Sequence, residues 1–214
     1  ANHLRNNTKL QYTLTGGRAK LISHDMDAIG FDIINQSNTS YLEQDHITYG
    51  DSLSLETSRG CMFKCAFCAY PILGRRKGDV CYHKSEDLLA DELRNNYEQH
   101  GARKYIIVDN IFNETTTKLE SVLRSRDKSK VDIGFAAFIR YELLNRFPEQ
   151  LPLLKELGIE AFNIGIESLH LPSAKLTGKG TDPEKVKDTM YRIKDYFNNR
   201  VNISGSFIIG LPED

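Results

Sequence analysis

No apolar run in this chain is long enough to span a bilayer, neither sign of charge prevails, and no internal repeat or low-complexity tract appears. With 28 Lys+Arg against 29 Asp+Glu, bulk charge gives no argument for nucleic acid or for an anionic membrane surface. Cysteine is scarce, at four in 214 residues, and no secretory-type apolar leader is present. A disulfide framework is therefore not expected, and a reducing cytoplasm is the natural compartment. The remainder, 40% hydrophobic, is ordinary for a globular domain with a real core.

From residue 50 onward, strand and helix signals alternate as they do in a parallel sheet with crossover helices. Ser52–Thr57 reads as a first strand. Ser85 offers an N-cap to a helix carrying Leu89, Leu93 and Tyr97, and Gly101 is placed to end it. Tyr105–Val108 is a continuous apolar run suited to a strand covered on both faces, and Thr117 with Glu120 makes a capping-box pair. Ile133–Ile139 reads as the third strand, Pro148 as the opening of a helix that Gly158 ends, and Ala161–Ile166 as the fourth strand. A helix from Asp182-Pro183 shows Val186, Met190, Ile193 and Phe197 on one face, ahead of a fifth strand over Val201–Ile209.

Residues 1–50 break this alternation. Leu10, Tyr12 and Leu14 alternate before Gly16-Gly17, which suggests a hairpin, and the rest is rich in Asn, Asp and Ser. The chain thus divides into 1–50, an N-terminal extension, the tail of an upstream domain or a linker, and 51–214, an α/β core. It opens on Ala1 and stops just past the fifth strand, which reads as a fragment. A raw fifth-strand edge would be expected to make such a piece associate.

The most informative feature is Cys61, Cys65 and Cys68, spaced C-x3-C-x2-C. Three thiolates on one loop can hold three irons of a cubane and leave the fourth open, whereas a structural zinc normally takes four protein ligands. Cys81 could supply that fourth ligand, so a non-catalytic zinc module built on Cys61, Cys65, Cys68 and Cys81 stands as the alternative. Parallel barrels place working residues at the C-terminal ends of their strands. The cysteine loop, Asp109-Asn110, Arg140, Glu167-Ser168 and Gly210 all follow strands, on one rim.

The cysteine loop, with Phe67 before its last thiol, resembles the cluster-binding motif of the radical S-adenosylmethionine (SAM) superfamily. Gly165-Ile166-Glu167-Ser168 on the fourth strand resembles a segment found in several branches of that superfamily, as does the approach Glu56-Thr57-Ser58-Arg59-Gly60-Cys61; the resemblance runs from about residue 50 to the end. It implies a partial parallel (βα) barrel, here truncated after the fifth strand. It also implies a 4Fe-4S cluster on the three cysteines, with SAM chelated at the open iron and cleaved to a 5′-deoxyadenosyl radical that abstracts hydrogen from an unknown substrate. A reductant such as a flavodoxin or ferredoxin would supply the electron. tRNA methylthiotransferases and cobalamin-dependent methylases share these motifs.

In that reading Phe67 covers adenine, while Asp109 or Asn110 accepts from the methionine ammonium in place of the family's Gly-Gly-Glu. Arg140 holds a carboxylate, and Glu167 with Ser168 meets ribose or the ammonium. Ile208 and Gly210 contact adenine in a fifth-strand motif that has serine at its first glycine and ends at Glu213. Arg75-Arg76-Lys77 is a short basic run that reads as solvated loop.

Overall fold

The computed structural model describes residues 12–15, 18–21, 31–68, 81–179 and 182–212. Strands β1 (Tyr12–Thr15) and β2 (Arg18–Leu21) pair antiparallel with Thr15 opposite Arg18, so the expected hairpin forms; its Gly16-Gly17 turn lies outside the described residues. Two 3-10 turns, Phe31–Gln36 and Glu43–Asp45, lead to β3 (Ser52–Leu55). Strands β4 (Ser58–Arg59) and β5 (Tyr82–His83) then form a small antiparallel ribbon that brackets the cysteine loop. The alternation follows as α1 (Glu86–His100), β6 (Lys104–Ile107), α2 (Thr116–Ser129), β7 (Gly134–Ile139), α3 (Tyr141–Arg146) and α4 (Gln150–Leu157). It closes with β8 (Ile159–Glu167), α5 (Leu171–Leu176), α6 (Pro183–Tyr196) and β9 (Asn202–Phe207). Strands β3, β6, β7, β8 and β9 pair in that order and all in parallel, which is the expected incomplete (βα) barrel.

Among the described residues, one face of the sheet carries the core. Tyr105, Ile107, Phe135, Ala137, Ile139, Phe162 and Ile164 alternate onto it and are buried against Leu93 of α1, Leu119 of α2, Leu154 of α4 and Ile193 of α6. Each fully buried side chain of this size contributes about 1.5–3 kcal/mol. On the other face Ile106, Val108 and Phe138 are about half exposed, at 43, 51 and 48%. The expectation that residues 105–108 form a strand buried on both sides is therefore corrected. The helices therefore pack on the first of these faces.

Local chemistry sets the boundaries. Ser85 caps α1 by accepting from Leu88 N, and Gly101 ends it at φ 65°. Tyr97 does not join the apolar face; it stays out, stacked under the Arg103 guanidinium at 4.7 Å, while Glu92 pairs inside with Lys84 at 2.5 Å. Helix α2 is capped by Thr115, which accepts from Lys118 N, two residues before the expected Thr117 box. Two short helices, α3 and α5, were not expected, because six residues hold too little of a 3.6-residue period to be legible.

Gly158 turns the chain from α4 into β8 at φ 93°, and a Cβ there would run into the carbonyl oxygen of Ile133. Gly158→Ala is expected to cost about 2 kcal/mol or more, since both the backbone region and the backbone contact are unfavourable. A lower urea midpoint with an unchanged slope is the expected readout; a midpoint equal to wild type would mean that this turn relaxes freely.

Part of the N-terminal segment packs on the core. Ile34 is buried, Tyr41 OH donates to Ser54 O at 2.9 Å, and Asn35 accepts from Ser85 N at 2.7 Å while its amide donates to His83 O. Tyr41 and Ile47 also touch the main apolar cluster.

Candidate cofactor-binding site

At the C-terminal ends of the strands, Cys61, Cys65 and Cys68 line one cavity of about 180 Å³. Of the other expected residues, Phe67, Asn110, Arg140 and Glu167 lie on the same wall, joined by Asn163 and Lys179. The loop turns tightly where Cys68 N donates to Cys65 O at 3.1 Å. The three thiol residues are partly buried, and Phe67 keeps about half its surface open, at 46%.

Arg140 is fixed from its backbone outward. Asn113 accepts from Arg140 N at 2.9 Å and donates to both Arg140 O and the Gln150 side chain, and all of these groups are buried. The guanidinium lies over the Phe63 ring at 3.9 Å, pairs with Glu142 at 2.9 Å and reaches Cys65 Sγ at 3.5 Å. It therefore adds positive charge beside the thiols.

Glu167 sits at the end of β8 in the left-handed region, φ 69°, beyond a register shift against β9. Such a conformation persists only where the surroundings impose it. Here Ile208 N donates to Glu167 O at 2.9 Å, and Lys179 Nζ bonds both the Glu167 carboxylate at 2.8 Å and Gly165 O at 2.7 Å. The side chains of the pair are 9 and 7% exposed. Lys179 reaches this point because the turn after α5 rests on the cysteine loop, with Ala66 N donating to Thr177 O.

Gly165 is required beneath that pair, since a Cβ there would stand 2.6 Å from Lys179 Nζ and closer still to the Glu167 carboxylate. Both neighbours are flexible side-chain ends, so Gly165→Ala should displace them rather than unfold β8. Thermal melting near wild type with a weakened ligand at this wall is expected, by roughly tenfold for one misplaced charged hydrogen bond. Calorimetry with SAM checks it, and unchanged affinity would show that the pair does not serve the ligand.

Four expected residues stand elsewhere. The Asp109 carboxylate is turned inward, accepting from the backbone and side chains of Thr57 and Ser58 and pairing with Lys118 at 2.8 Å. An acidic group so fully committed is not free for an ammonium, which leaves Asn110 as the member of that pair on the wall. The Ser168 hydroxyl accepts from His170 N at the start of α5. Ile208, whose N donates to Glu167 O, and Gly210 lie beyond β9 and do not line the cavity. Glu213 and the basic run 75–77 lie outside the described residues.

The sequence matches the family described as the radical SAM superfamily over residues 55–214. The chain belongs to that superfamily. The chain is 29% identical over 161 residues to an uncharacterised methyltransferase of Pyrococcus horikoshii, PH0819; the match covers 74% of this chain and 33% of that protein. The fold resembles TsrM of Kitasatospora setae, a radical SAM methyltransferase with cobalamin and a [4Fe-4S] cluster bound (TM-score 0.61, 18% identity, 77% of this chain and 32% of that one). It also resembles the cobalamin-dependent radical SAM enzyme OxsB (TM-score 0.57, 21% identity, 74% and 24%). The chain thus spans about a third or less of the length of these proteins.

The cofactors of the radical SAM family are a [4Fe-4S] cluster and SAM, and the donor set fits them. Three thiols meet on one wall, as the three protein-bound irons of a cubane require. Cys81 is not on the wall. It is buried beneath Gly60, and burial pushes its thiol up, helped by a hydrogen bond to Glu114 and by that group's charge.

Proposed function

We propose that the chain is the core of an enzyme that binds a 4Fe-4S cluster through Cys61, Cys65 and Cys68, cleaves SAM reductively at this rim and abstracts hydrogen from its substrate. The observation that carries this reading is the meeting, on one cavity wall, of three thiols with Arg140, Lys179 and Glu167. When bound, the cluster supplies the electron that breaks the sulfonium bond of SAM. The chain's own groups orient SAM. Lys179 and Arg140 offer positive charge to a carboxylate, Glu167 accepts from ribose or an ammonium, Asn110 and Asn163 supply amide groups, and Phe67 covers adenine. The reacting substrate lies against the half-exposed apolar strip of Ile106, Val108 and Phe138.

Methyl transfer is the favoured outcome, supported by the Pyrococcus methyltransferase that shares this part of the chain. A flavodoxin or ferredoxin is the natural electron donor, in a reducing compartment such as the cytoplasm. The test is anaerobic reconstitution followed by mass spectrometry after addition of SAM and reductant. Release of 5′-deoxyadenosine supports radical cleavage, and S-adenosylhomocysteine supports methyl transfer. A colourless protein that keeps one tightly bound zinc and turns over no SAM would overturn the reading.

A further inference from the structure

The Asp109 carboxylate is 0% exposed and stands where five donors converge. Oδ1 accepts from Thr57 N at 2.7 Å and Ser58 N at 3.0 Å. Oδ2 accepts from both hydroxyls and pairs with Lys118 Nζ at 2.8 Å. Lys118, itself 2% exposed, also donates to Ser58 Oγ at 2.6 Å and to Ile111 O at 3.0 Å. Thr57 and Ser58 are the last residues but two before Cys61, and Thr57 O accepts from Lys84 N across the ribbon. The chain leaves β3 and enters the cysteine loop through this clamp.

We propose that Asp109 is a positioning residue for the cluster loop: it fixes Thr57 and Ser58, with Lys118 as counter-ion, so that Cys61 is presented to the cluster in one orientation. The clamp joins three separate elements. Asp109 follows β6, Lys118 lies in the first turn of α2, and the loop follows β3. The buried carboxylate here accepts four hydrogen bonds and faces the Lys118 ammonium, which an amide cannot do, because its nitrogen would face two hydroxyls and that ammonium. The inference rests on the three-cysteine cluster reading.

Asp109→Asn keeps the volume and the bonds to Thr57 N and Ser58 N but loses the charge. Glu92→Gln serves as control, because the Lys84–Glu92 pair is equally buried, at 1% each, and Glu92 touches neither Thr57 nor Ser58. Each protein is melted without cluster, then reconstituted anaerobically, and iron release to a ferrous chelator is timed alongside the electron paramagnetic resonance spectrum of the reduced cluster. Asp109→Asn is expected to release iron about tenfold faster, the lower end of the effect of disturbing groups behind a metal ligand, and to alter the spectrum. Glu92→Gln should lower the melting temperature while its iron release stays within about twofold of wild type.

Should Asp109→Asn not fold, Thr57→Val, which removes one hydroxyl from the clamp and leaves the ion pair, is expected to accelerate release about threefold, a fraction of a charged hydrogen bond. Wild-type release and spectrum in Asp109→Asn, or in Thr57→Val when it is used, would overturn the proposal, as would equal acceleration in Glu92→Gln. A wild-type protein that takes up no cluster would overturn the proposed function and this inference together; a loaded wild type with an indifferent clamp would overturn only the inference.

Discussion

Replacing any one of Cys61, Cys65 or Cys68 with alanine is expected to abolish the reconstituted cluster, whereas Cys81→Ala should keep it. Each of the three residues lines the cavity, and a cubane with an open iron has no spare protein ligand to lose. Cys81 packs against Gly60, whose left-handed φ of 112° brings its backbone close, with its thiol turned to Glu114. Its loss removes a small buried side chain, which costs stability but no ligand. Iron and sulfide analysis with electron paramagnetic resonance decides: loss of cluster in Cys81→Ala as complete as in the other three would revive a four-cysteine site.

The second large effect belongs to the Lys179–Glu167 pair. Glu167→Gln and Lys179→Met should each weaken SAM binding by roughly 1.5–3 kcal/mol, about ten- to a hundredfold, while iron content holds. The conservative replacements are chosen because alanine at Glu167 would strand a nearly buried ammonium, and an unpaired buried charge costs about 3–5 kcal/mol of stability. Arg140→Ala should behave differently. Its guanidinium touches Cys65 and Phe63, so both affinity and cluster retention should fall. Anaerobic calorimetry on the loaded proteins separates these cases, and unchanged affinity in both pair variants would remove them from the SAM site.

Much of this was legible because periodicity and spacing are local. The five parallel strands, the long helices with Ser85, Gly101, Asp182 and Gly158 at their ends, and the three thiols all follow from residues near one another in sequence. What was not legible depends on distant contacts. Lys179 follows a helix too short to read and reaches the wall only because its turn rests on a loop more than a hundred residues earlier. Asn163 stands mid-strand, where its polarity could as well have marked solvent. Asp109 has the right residue type in the right place after β6, yet its direction is set by Lys118 and two hydroxyls that no local pattern reveals. The same distance hid the packing of Tyr41 and Ile47 on a core expected to begin at residue 51.

The order in which the wall is assembled has a kinetic meaning. Each strand of the sheet pairs with the next strand of the series in sequence, so the barrel can grow unit by unit as the chain emerges from the ribosome. Cys68 emerges roughly 110 residues ahead of Lys179, a lead of about 5–20 s at about 5–20 residues per second. For that interval the three thiols are exposed without the rim that shields them, open to oxidation or to capture by a stray metal ion. Only when β8 and α5 are in place does the chain supply that shielding, so the rim protects the thiols after synthesis and not during it.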